Sequence, residues 1–309
     1  MSKETTETQL FYLPPPQLSK WKTFKRFMWN SETKEFMGRT AASWAKVTLF
    51  YLIFYSCLAA FFILLLTIFY QTINDKEPKW TLESSLIGST PGLGFRPRPP
   101  PENIESTLIW FKHGKNGNWD YWADNLHSYI MNYAHENQTG DKYYKCISGE
   151  KVKKDKVCQV DIHDYKGLCS AAFAYGYKAG QPCIAVKINR VFNWVPIAYK
   201  KTDPNIPMEI RSKVLKDSGS KVWITCGGEN AFDKENIGQM IYSPNNGGIE
   251  TYYFPFKNQP GYLTPLVFVQ FASVKKGVLI NVECRAWAKN IAHDRAERKG
   301  SIHLELLVD

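Results

Sequence analysis

One uncharged apolar stretch dominates the hydrophobic pattern of this 309-residue chain. Residues 47–70 read VTLFYLIFYSCLAAFFILLLTIFY and contain no charged side chain. As an α-helix this stretch would be about 36 Å long, enough to cross a hydrocarbon core of about 30 Å. No other segment of the chain approaches this length without a charge. The pattern therefore predicts a single transmembrane helix.

The charged residues on either side of this stretch predict its orientation. Residues 1–46 carry eight Lys or Arg side chains, whereas residues 71–90 carry only Lys76 and Lys79, mixed with acidic residues. Basic residues beside a span favour the cytoplasmic side. A cleaved signal peptide would have an apolar region of about 7–15 residues close to the start, but here a long polar arm comes first. We therefore expect a type II plasma-membrane protein with a cytoplasmic N-terminus and an extracellular C-terminus.

Beyond the span, the apolar residues occur in short segments instead of one run. β-Branched or alternating apolar residues, separated by Gly, Pro and Asn, fill five stretches at 184–188, 221–225, 266–271, 277–284 and 302–306. Such segments predict an antiparallel β-sandwich. Apolar residues three and four apart predict one helix over 121–135. The expected fold is a single-pass transmembrane α-helix plus a mainly-β ectodomain with an inserted helix.

Proline marks the boundary between the span and this ectodomain. Residues 96–101 read RPRPPP, and proline lacks a backbone donor and fixes φ. We expect an extended stalk here rather than packed sheet or helix. A ligand for a proline-recognition domain is the alternative, but such domains are mostly cytosolic. The expected organisation is a mostly disordered cytoplasmic arm at 1–46, the transmembrane helix at 47–70, the stalk at 71–103 and the β-domain at 104–309.

The cysteines agree with this topology. Cys57 lies within the span, and the other six cysteines all lie beyond it. Six cysteines on an extracellular side indicate three disulfides, and counting alone leaves 15 possible pairings. The sequon Asn137-Gln138-Thr139 lies on the same side and makes Asn137 a candidate glycosylation site.

The net charge of +10 raises the question of nucleic-acid binding. Four of these charges belong to the arm at 1–46, and the other six are spread over the ectodomain. The basic run at 151–156 is short and has no interleaved aromatic residues, so we interpret it as a solvated loop. We therefore expect no nucleic-acid partner.

The chain contains none of the common catalytic motifs. It has no phosphate-binding loop, no Gly-x-Ser-x-Gly, no HExxH and no CxxC. Golgi glycosyltransferases share the type II topology, and many use Asp-x-Asp, but the nearest segment, Asp161 to Asp164, has one residue too many. Cys226, followed by two glycines, is better explained as a disulfide at a tight turn than as a nucleophile. We expect neither an enzyme nor a bound cofactor or metal.

Two tyrosines near the start of the span indicate a protein partner within the membrane. Tyr51 and Tyr55 are four residues apart and share a helix face, where their hydroxyls would be poorly accommodated by lipid tails. Ser56 and Ala59 are small enough to let another helix approach. An aromatic belt at the interface is the alternative for Tyr51, whereas Tyr55 lies one turn deeper.

Longer motifs, spread in order along the chain, resemble those of one family. They are EFMGRT at 35–40, SW at 43–44, LFYLIFY at 49–55, PGLGFRP at 91–97, YGYKAGQPC at 175–183, KINR at 187–190, YFPF at 253–256, YLTPL at 262–266 and VQF at 269–271. The order and spacing of the six outer cysteines also fit. On these residues the chain resembles the beta subunits of sodium/potassium-transporting ATPases, in a form similar to invertebrate members.

The resemblance implies a non-catalytic subunit with an immunoglobulin-like sandwich. Such a subunit assembles with the catalytic alpha subunit of a P-type pump, stabilises it, delivers it to the plasma membrane and modulates potassium occlusion. The implied disulfides are Cys146–Cys158, Cys169–Cys183 and Cys226–Cys284. The implied alpha-subunit contacts are Tyr51 and Tyr55 in the membrane, and Tyr253, Phe254, Pro255, Phe256 and Tyr262 outside it. After Phe256 the sequence departs from the family's usual continuation.

Three other functions remain open from the sequence. The chain could be a cell-surface adhesion glycoprotein that binds beta subunits on neighbouring cells, the beta subunit of a proton/potassium pump, or a type II membrane enzyme. The resemblance favours the sodium pump, with the lipid bilayer as the other partner.

Overall fold

The computed structural model describes residues 19–86, 88–103, 105–150, 153, 156–162, 167, 169–217 and 219–309. Residues 1–18 of the expected arm, Asp164, and most of the basic run at 151–156 lie outside these described residues. The chain divides into two compact units, residues 1–74 and residues 75–309.

The first unit is structured well before the apolar stretch begins. It contains helix α1 (Lys20–Met28), three two-residue strands, β1 (Trp29–Asn30), β2 (Glu35–Phe36) and β3 (Arg39–Thr40), and helix α2 (Ala41–Gln71). The three strands form an antiparallel sheet in the order β1-β2-β3. The expectation of a mostly disordered arm is therefore wrong for residues 20–40, because strands of two residues are too short to show a periodic pattern in the sequence.

Helix α2 begins six residues before the uncharged stretch. Thr40 caps it, since its side-chain oxygen accepts a hydrogen bond from the Ser43 amide at 3.4 Å. The helix ends one residue past the apolar stretch, at Gln71. Within the part of the chain that the structure describes, α2 is the one helix long and apolar enough to cross a membrane.

The second unit is mainly β-structure, with three helices placed between strands. Its elements in chain order are β4 (Leu93–Arg96), β5 (Leu108–Phe111), α3 (Asp120–Ile130), β6 (Tyr143–Tyr144), β7 (Val157–Cys158), β8 (Cys183–Ile188), α4 (Met208–Lys216), β9 (Lys221–Gly228), α5 (Ala231–Asn236), β10 (Met240–Ser243), β11 (Gly248–Glu250), β12 (Leu266–Phe271), β13 (Ile280–Trp287) and β14 (Ser301–Val308). All five predicted strand segments and the predicted helix have counterparts here. Helices α4 and α5 were not expected.

Two larger sheets share one apolar core. The four-stranded sheet has the order β10-β12-β8-β4, and the five-stranded sheet has the order β11-β9-β13-β14-β5. Buried side chains from both sheets, such as Phe95, Phe268 and Leu304, belong to one continuous cluster. Every pair in these two sheets is antiparallel except β5 with β14, which is parallel. The fully antiparallel expectation fails at this edge because the pattern of one strand does not encode the direction of a partner nearly 200 residues away.

The expected stalk at 71–103 is partly sheet. Strand β4 pairs with β8, and Leu93 and Phe95 point into the core, where Phe95 is 1% exposed. The expectation that this segment is not packed sheet is therefore wrong for residues 93–96. The prolines at 91, 97 and 99–101 flank β4 and take none of its backbone donors away, and β4 lies at the edge of its sheet.

Helix α3 packs on the core through one apolar side. Trp122, Leu126 and Ile130 are buried, as their spacing predicts, and Tyr133 follows in a short 3₁₀ turn. The Trp122 indole donates to the Trp110 carbonyl at 2.9 Å, and the Tyr133 hydroxyl donates to the Thr264 carbonyl at 2.9 Å. These hydrogen bonds fix the helix against the strands.

The six cysteines of the second unit form three disulfides. The pairs are Cys146–Cys158, Cys169–Cys183 and Cys226–Cys284, the pairing that the resemblance implies. Cys226 and Cys284 are register partners on β9 and β13, so this bridge joins neighbouring strands. Cys226 therefore lies inside a strand and not at the tight turn that its glycine neighbours indicated.

Candidate functional site

The two tyrosines of the apolar helix form a stacked, exposed pair. The rings of Tyr51 and Tyr55 lie 5.9 Å apart at an interplanar angle of 22°. Their exposed fractions are 49% and 59%. The i, i+4 spacing places them on one side of α2, and both rings are free to contact a further chain.

Small residues continue the same side of the helix and leave a shallow depression. Its lining includes Trp44, Tyr51, Tyr55, Ser56 and Ala59. Aromatic rings above a short run of small residues form a surface onto which a second helix can pack closely. Tyr51 and Tyr55 were predicted for this surface, whereas Trp44 was noticed only as part of a motif.

Trp44 is held in place by the small sheet before the helix. Its indole donates to the Phe36 carbonyl at 2.8 Å, and the two rings lie 6.3 Å apart. The base of the helix is therefore tied to strand β2. The sequence alone gave no signal for this hydrogen bond, because it joins residues of two different elements.

In the second unit, the residues expected to contact a partner lie together in one aromatic cluster. Tyr253, Phe254, Pro255 and Phe256 are all partly buried. The Phe254 ring meets Trp194 edge-on at 5.3 Å, and the Tyr253 hydroxyl donates to the Gln159 carbonyl at 3.2 Å. Each side chain thus has both a packed side and a solvent-facing side.

Tyr262 differs from the other members because it is inside the protein. It is 7% exposed, and burial raises its pKa to about 12. Its ring lies 5.1 Å from that of Phe256. Tyr262 therefore supports the cluster from beneath, and Phe256 covers it.

Arg190 organises this part of the cluster. Its guanidinium lies 5.3 Å from the ring centroids of both Phe256 and Tyr262. It also donates to the Tyr262 carbonyl at 3.0 Å and to the Thr264 hydroxyl at 3.1 Å. In the sequence, Arg190 stands out only as the last residue of the KINR motif. Its contacts with the cluster could not be predicted, because its partners lie some 70 residues further along the chain.

Asn137 is exposed in a 3₁₀ turn at His135–Gln138. Its side-chain amide donates one hydrogen to the Met131 carbonyl at 2.9 Å. The Thr139 hydroxyl, which completes the sequon, donates to the Glu136 carbonyl at 3.1 Å and is also exposed. The sequon is thus on the surface of the second unit.

The described residues offer no cluster of metal ligands. None of their His, Cys, Asp and Glu side chains form a group of three or more that could hold a metal ion. The arrangement of the described surfaces is suited to binding another protein chain, through one helix face and one aromatic cluster.

Comparison with known proteins shows the family of the chain. The model of the family described as "Sodium / potassium ATPase beta chain" matches residues 15–304. The chain is similar to sodium/potassium-transporting ATPase subunit beta-2 of Drosophila melanogaster, with 41% identity over 97% of this chain and 96% of the relative. Subunit beta-1 of the same species is also 41% identical, over 95% of each chain. The human subunit beta-2 is 34% identical over 88% of each. The chain therefore belongs to the sodium/potassium ATPase beta chain family.

Proposed function

We propose that this chain assembles with the catalytic alpha subunit of a P-type sodium/potassium pump, stabilises it, delivers it to the plasma membrane and modulates its potassium binding. As a beta subunit the chain is an accessory and not the enzyme. The observation that carries the proposal is the family match, which runs through the apolar helix and the disulfide-bonded unit alike.

We propose a type II orientation for the chain. Residues 1–46 are cytoplasmic, 47–70 cross the membrane within α2, 71–103 lead outward, and 104–309 form the extracellular domain. Two observations support this orientation: eight basic side chains precede the span, and all six disulfide cysteines follow it. The two sheets and their common core support an immunoglobulin-like sandwich with α3 inserted.

In the membrane, the proposed alpha-subunit contact is the side of α2 that carries Tyr51 and Tyr55. Both hydroxyls need a hydrogen-bond partner in a hydrocarbon environment, and a neighbouring helix supplies one. Ser56 and Ala59 allow the close approach. The remaining sides of α2, which are apolar, contact the lipid bilayer.

Outside the membrane, the proposed contact is the exposed side of Tyr253, Phe254, Pro255 and Phe256. A partly buried ring is already held in place, so little side-chain entropy is lost when a partner covers its exposed edge. Tyr262 contributes from beneath by fixing Phe256. This assignment is supported by the packing of the cluster on Trp194 and Arg190.

Surface delivery in cells depleted of other beta chains tests the proposal. The catalytic chain is expressed alone, with this chain, or with a variant that lacks residues 104–309, and its amount at the surface is measured by biotinylation. We expect delivery only with the intact chain. Equal delivery of the catalytic chain in the absence of this protein would contradict the proposal.

A further inference from the structure

The structured segment before the span carries an aromatic side and a basic side that the proposed function does not use. In α1, Trp21, Phe24 and Met28 recur at three and four residues, and Phe27 lies beside them. Lys22, Lys25 and Arg26 occupy the opposite side of the same helix, by the same spacing, whereas Lys20 is at the first position of the helix and lies on the aromatic side. The helix contains no acidic residue.

The aromatic side is exposed to an unusual degree. Trp21 is 66% exposed and Phe24 is 52% exposed, with their rings stacked at 5.9 Å. The following strands, with the turn between β2 and β3, add further exposed large apolar residues: Trp29, Phe36 and Met37. Large apolar groups collected in one short segment and left open to water indicate an interaction surface.

The basic side is only partly neutralised. Arg26 pairs with Glu32 at 2.7 Å, and both side chains are exposed. Among the described residues, no carboxylate lies within ion-pair distance of Lys20, Lys22 or Lys25. Between residues 19 and 46 the chain has seven basic and two acidic side chains. This segment therefore retains an excess of positive charge.

The segment is also physically connected to the spanning helix. The Met37 amide donates to the Met28 carbonyl at 3.3 Å, which joins the end of α1 to the small sheet. The Trp44 indole in turn joins that sheet to the first turn of α2. A short amphipathic element tied to the end of a membrane span cannot move far from the bilayer surface.

We propose that α1 and the adjoining strands form an interfacial module that binds the anionic headgroups of the leaflet on the N-terminal side of the span. Trp21, Phe24 and Phe27 insert at the level of the headgroups, and Lys20, Lys22, Lys25 and Arg26 contact the lipid phosphates. Aromatic residues on one side and Lys or Arg on the other are typical of helices that lie in this interface. The proposal uses only the spanning role of α2 from the proposed function.

Hydrogen–deuterium exchange of the full-length chain in nanodiscs tests the proposal. One set of nanodiscs contains phosphatidylcholine alone, and the other contains phosphatidylcholine with 30% phosphatidylserine. Because each basic residue near an anionic surface strengthens binding about fivefold, the three unpaired lysines together favour the anionic surface about a hundredfold, and we expect the amides of residues 21–29 to exchange at least about tenfold more slowly in the anionic set. Raising the salt concentration from about 0.05 to 0.5 M is expected to remove most of this protection.

A charge variant and a matched control separate this surface from general charge effects. The variant replaces Lys20, Lys22, Lys25 and Arg26 by Gln, and the control replaces the exposed Lys216, Lys234, Lys257 and Lys275 by Gln. The variant is expected to lose the lipid-dependent protection, and the control to keep it. The salt titration of the unaltered chain gives an independent answer if the variant does not fold.

Two outcomes would overturn the proposal. One is equal exchange of residues 21–29 in neutral and anionic nanodiscs. The other is protection that arises only when a catalytic chain is co-reconstituted, because the surface would then bind protein. The amides of α2 serve as an internal reference. If they exchange freely, α2 does not span the bilayer, and the proposed function is contradicted. Protected α2 amides with equal exchange of residues 21–29 would contradict the headgroup contact alone.

Discussion

The stacked tyrosines of α2 are the residues whose chemistry fits the membrane least and a helix partner best. Replacing Tyr51 and Tyr55 by Ala should weaken assembly with the catalytic chain by about 1–2 kcal/mol, or five- to thirtyfold in the binding constant. Co-purification of the two chains from a mild detergent measures this. Replacing both tyrosines by Phe keeps the rings and isolates the effect of the hydroxyls.

The chain offers a matched control for this experiment on another side of the same helix. Phe50 and Phe54 are also four residues apart and stacked, with ring centroids 6.2 Å apart. Their replacement by Ala removes a similar apolar area from lipid contact only, so assembly should change little. An equal loss of assembly for both pairs would contradict the assigned contact surface.

Lys213 is a partly buried cation in the second unit that has no role in the proposed contacts. Its ammonium donates to the Ile224 carbonyl at 3.2 Å and lies 3.9 Å from the ring centroid of Tyr242. Burial lowers its pKa to about 8. The folded state therefore binds fewer protons at this site than the unfolded state between about pH 8 and 10.5, and its stability should rise with pH in that window.

Replacing Lys213 by Met should remove this pH dependence. Relative to the variant, the unaltered chain should gain about 1–2 kcal/mol of unfolding free energy from pH 8 to 10.5. This gain is smaller than the free energy that corresponds to the whole pKa shift, because the amine is still partly solvated and the Tyr242 ring stabilises its charged form. Denaturant unfolding at a series of pH values measures the difference. Parallel pH profiles of the two proteins would contradict the assignment.

In the second unit, α3 and the longer strands are the elements that the sequence pattern could predict, whereas the nine-residue helix α4 was not predicted. Strands β8, β9, β12 and β14 contain β-branched or alternating residues over at least five positions, and α3 repeats its apolar spacing twice, from Trp122 to Leu126 and from Leu126 to Ile130. Strands β10 and β11 are four and three residues long and give too few repeats to recognise. Strand β4 does alternate, but the prolines that follow it masked the signal.

The candidate contact residues were predictable only where they share one element. Tyr51 and Tyr55 follow from their spacing on one helix. Arg190, by contrast, reaches Phe256 and Tyr262 through the tertiary fold, and the burial of Tyr262 depends on the same packing. Spacing along the chain carries no information about such contacts.

The disulfide between β9 and β13 joins residues that are further apart in the chain than those of the other two bridges. It closes a loop with a sequence separation of 58, whereas Cys146 and Cys158 are 12 apart. On the chain-entropy model the two bridges contribute about 4 and about 3 kcal/mol, against a total stability of about 5–15 kcal/mol. Cys284 is also completely buried, unlike Cys146.

Removing each bridge by paired Cys→Ser substitutions should therefore have graded effects. Loss of Cys226–Cys284 should leave most of the chain in the endoplasmic reticulum, and loss of Cys146–Cys158 should permit partial export. Resistance of the cell-surface fraction to trypsin measures the result. Full export of the Cys226→Ser/Cys284→Ser variant would show that the sheet does not need this bridge.

For the whole molecule, glycosylation of Asn137 reports which side of the membrane holds the second unit. Because the sequon acceptor is modified only in the secretory lumen, the type II orientation predicts a glycan at the exposed Asn137. The change to test is Thr139→Ala, with Thr139→Ser as the matched control that preserves the sequon. Endoglycosidase treatment should shift the unaltered chain and the Ser variant on a gel, but not the Ala variant. A chain that shows no shift in any form would count against the proposed site.

The central claim concerns the whole molecule and its partner, and one measurement tests it most directly. The chain is captured by affinity from mildly solubilised native membranes, and the co-purifying proteins are quantified by mass spectrometry. We predict a P-type ATPase catalytic chain in near-equimolar amount. Recovery of the intact protein without any such chain would contradict the accessory role and leave family membership as a record of ancestry.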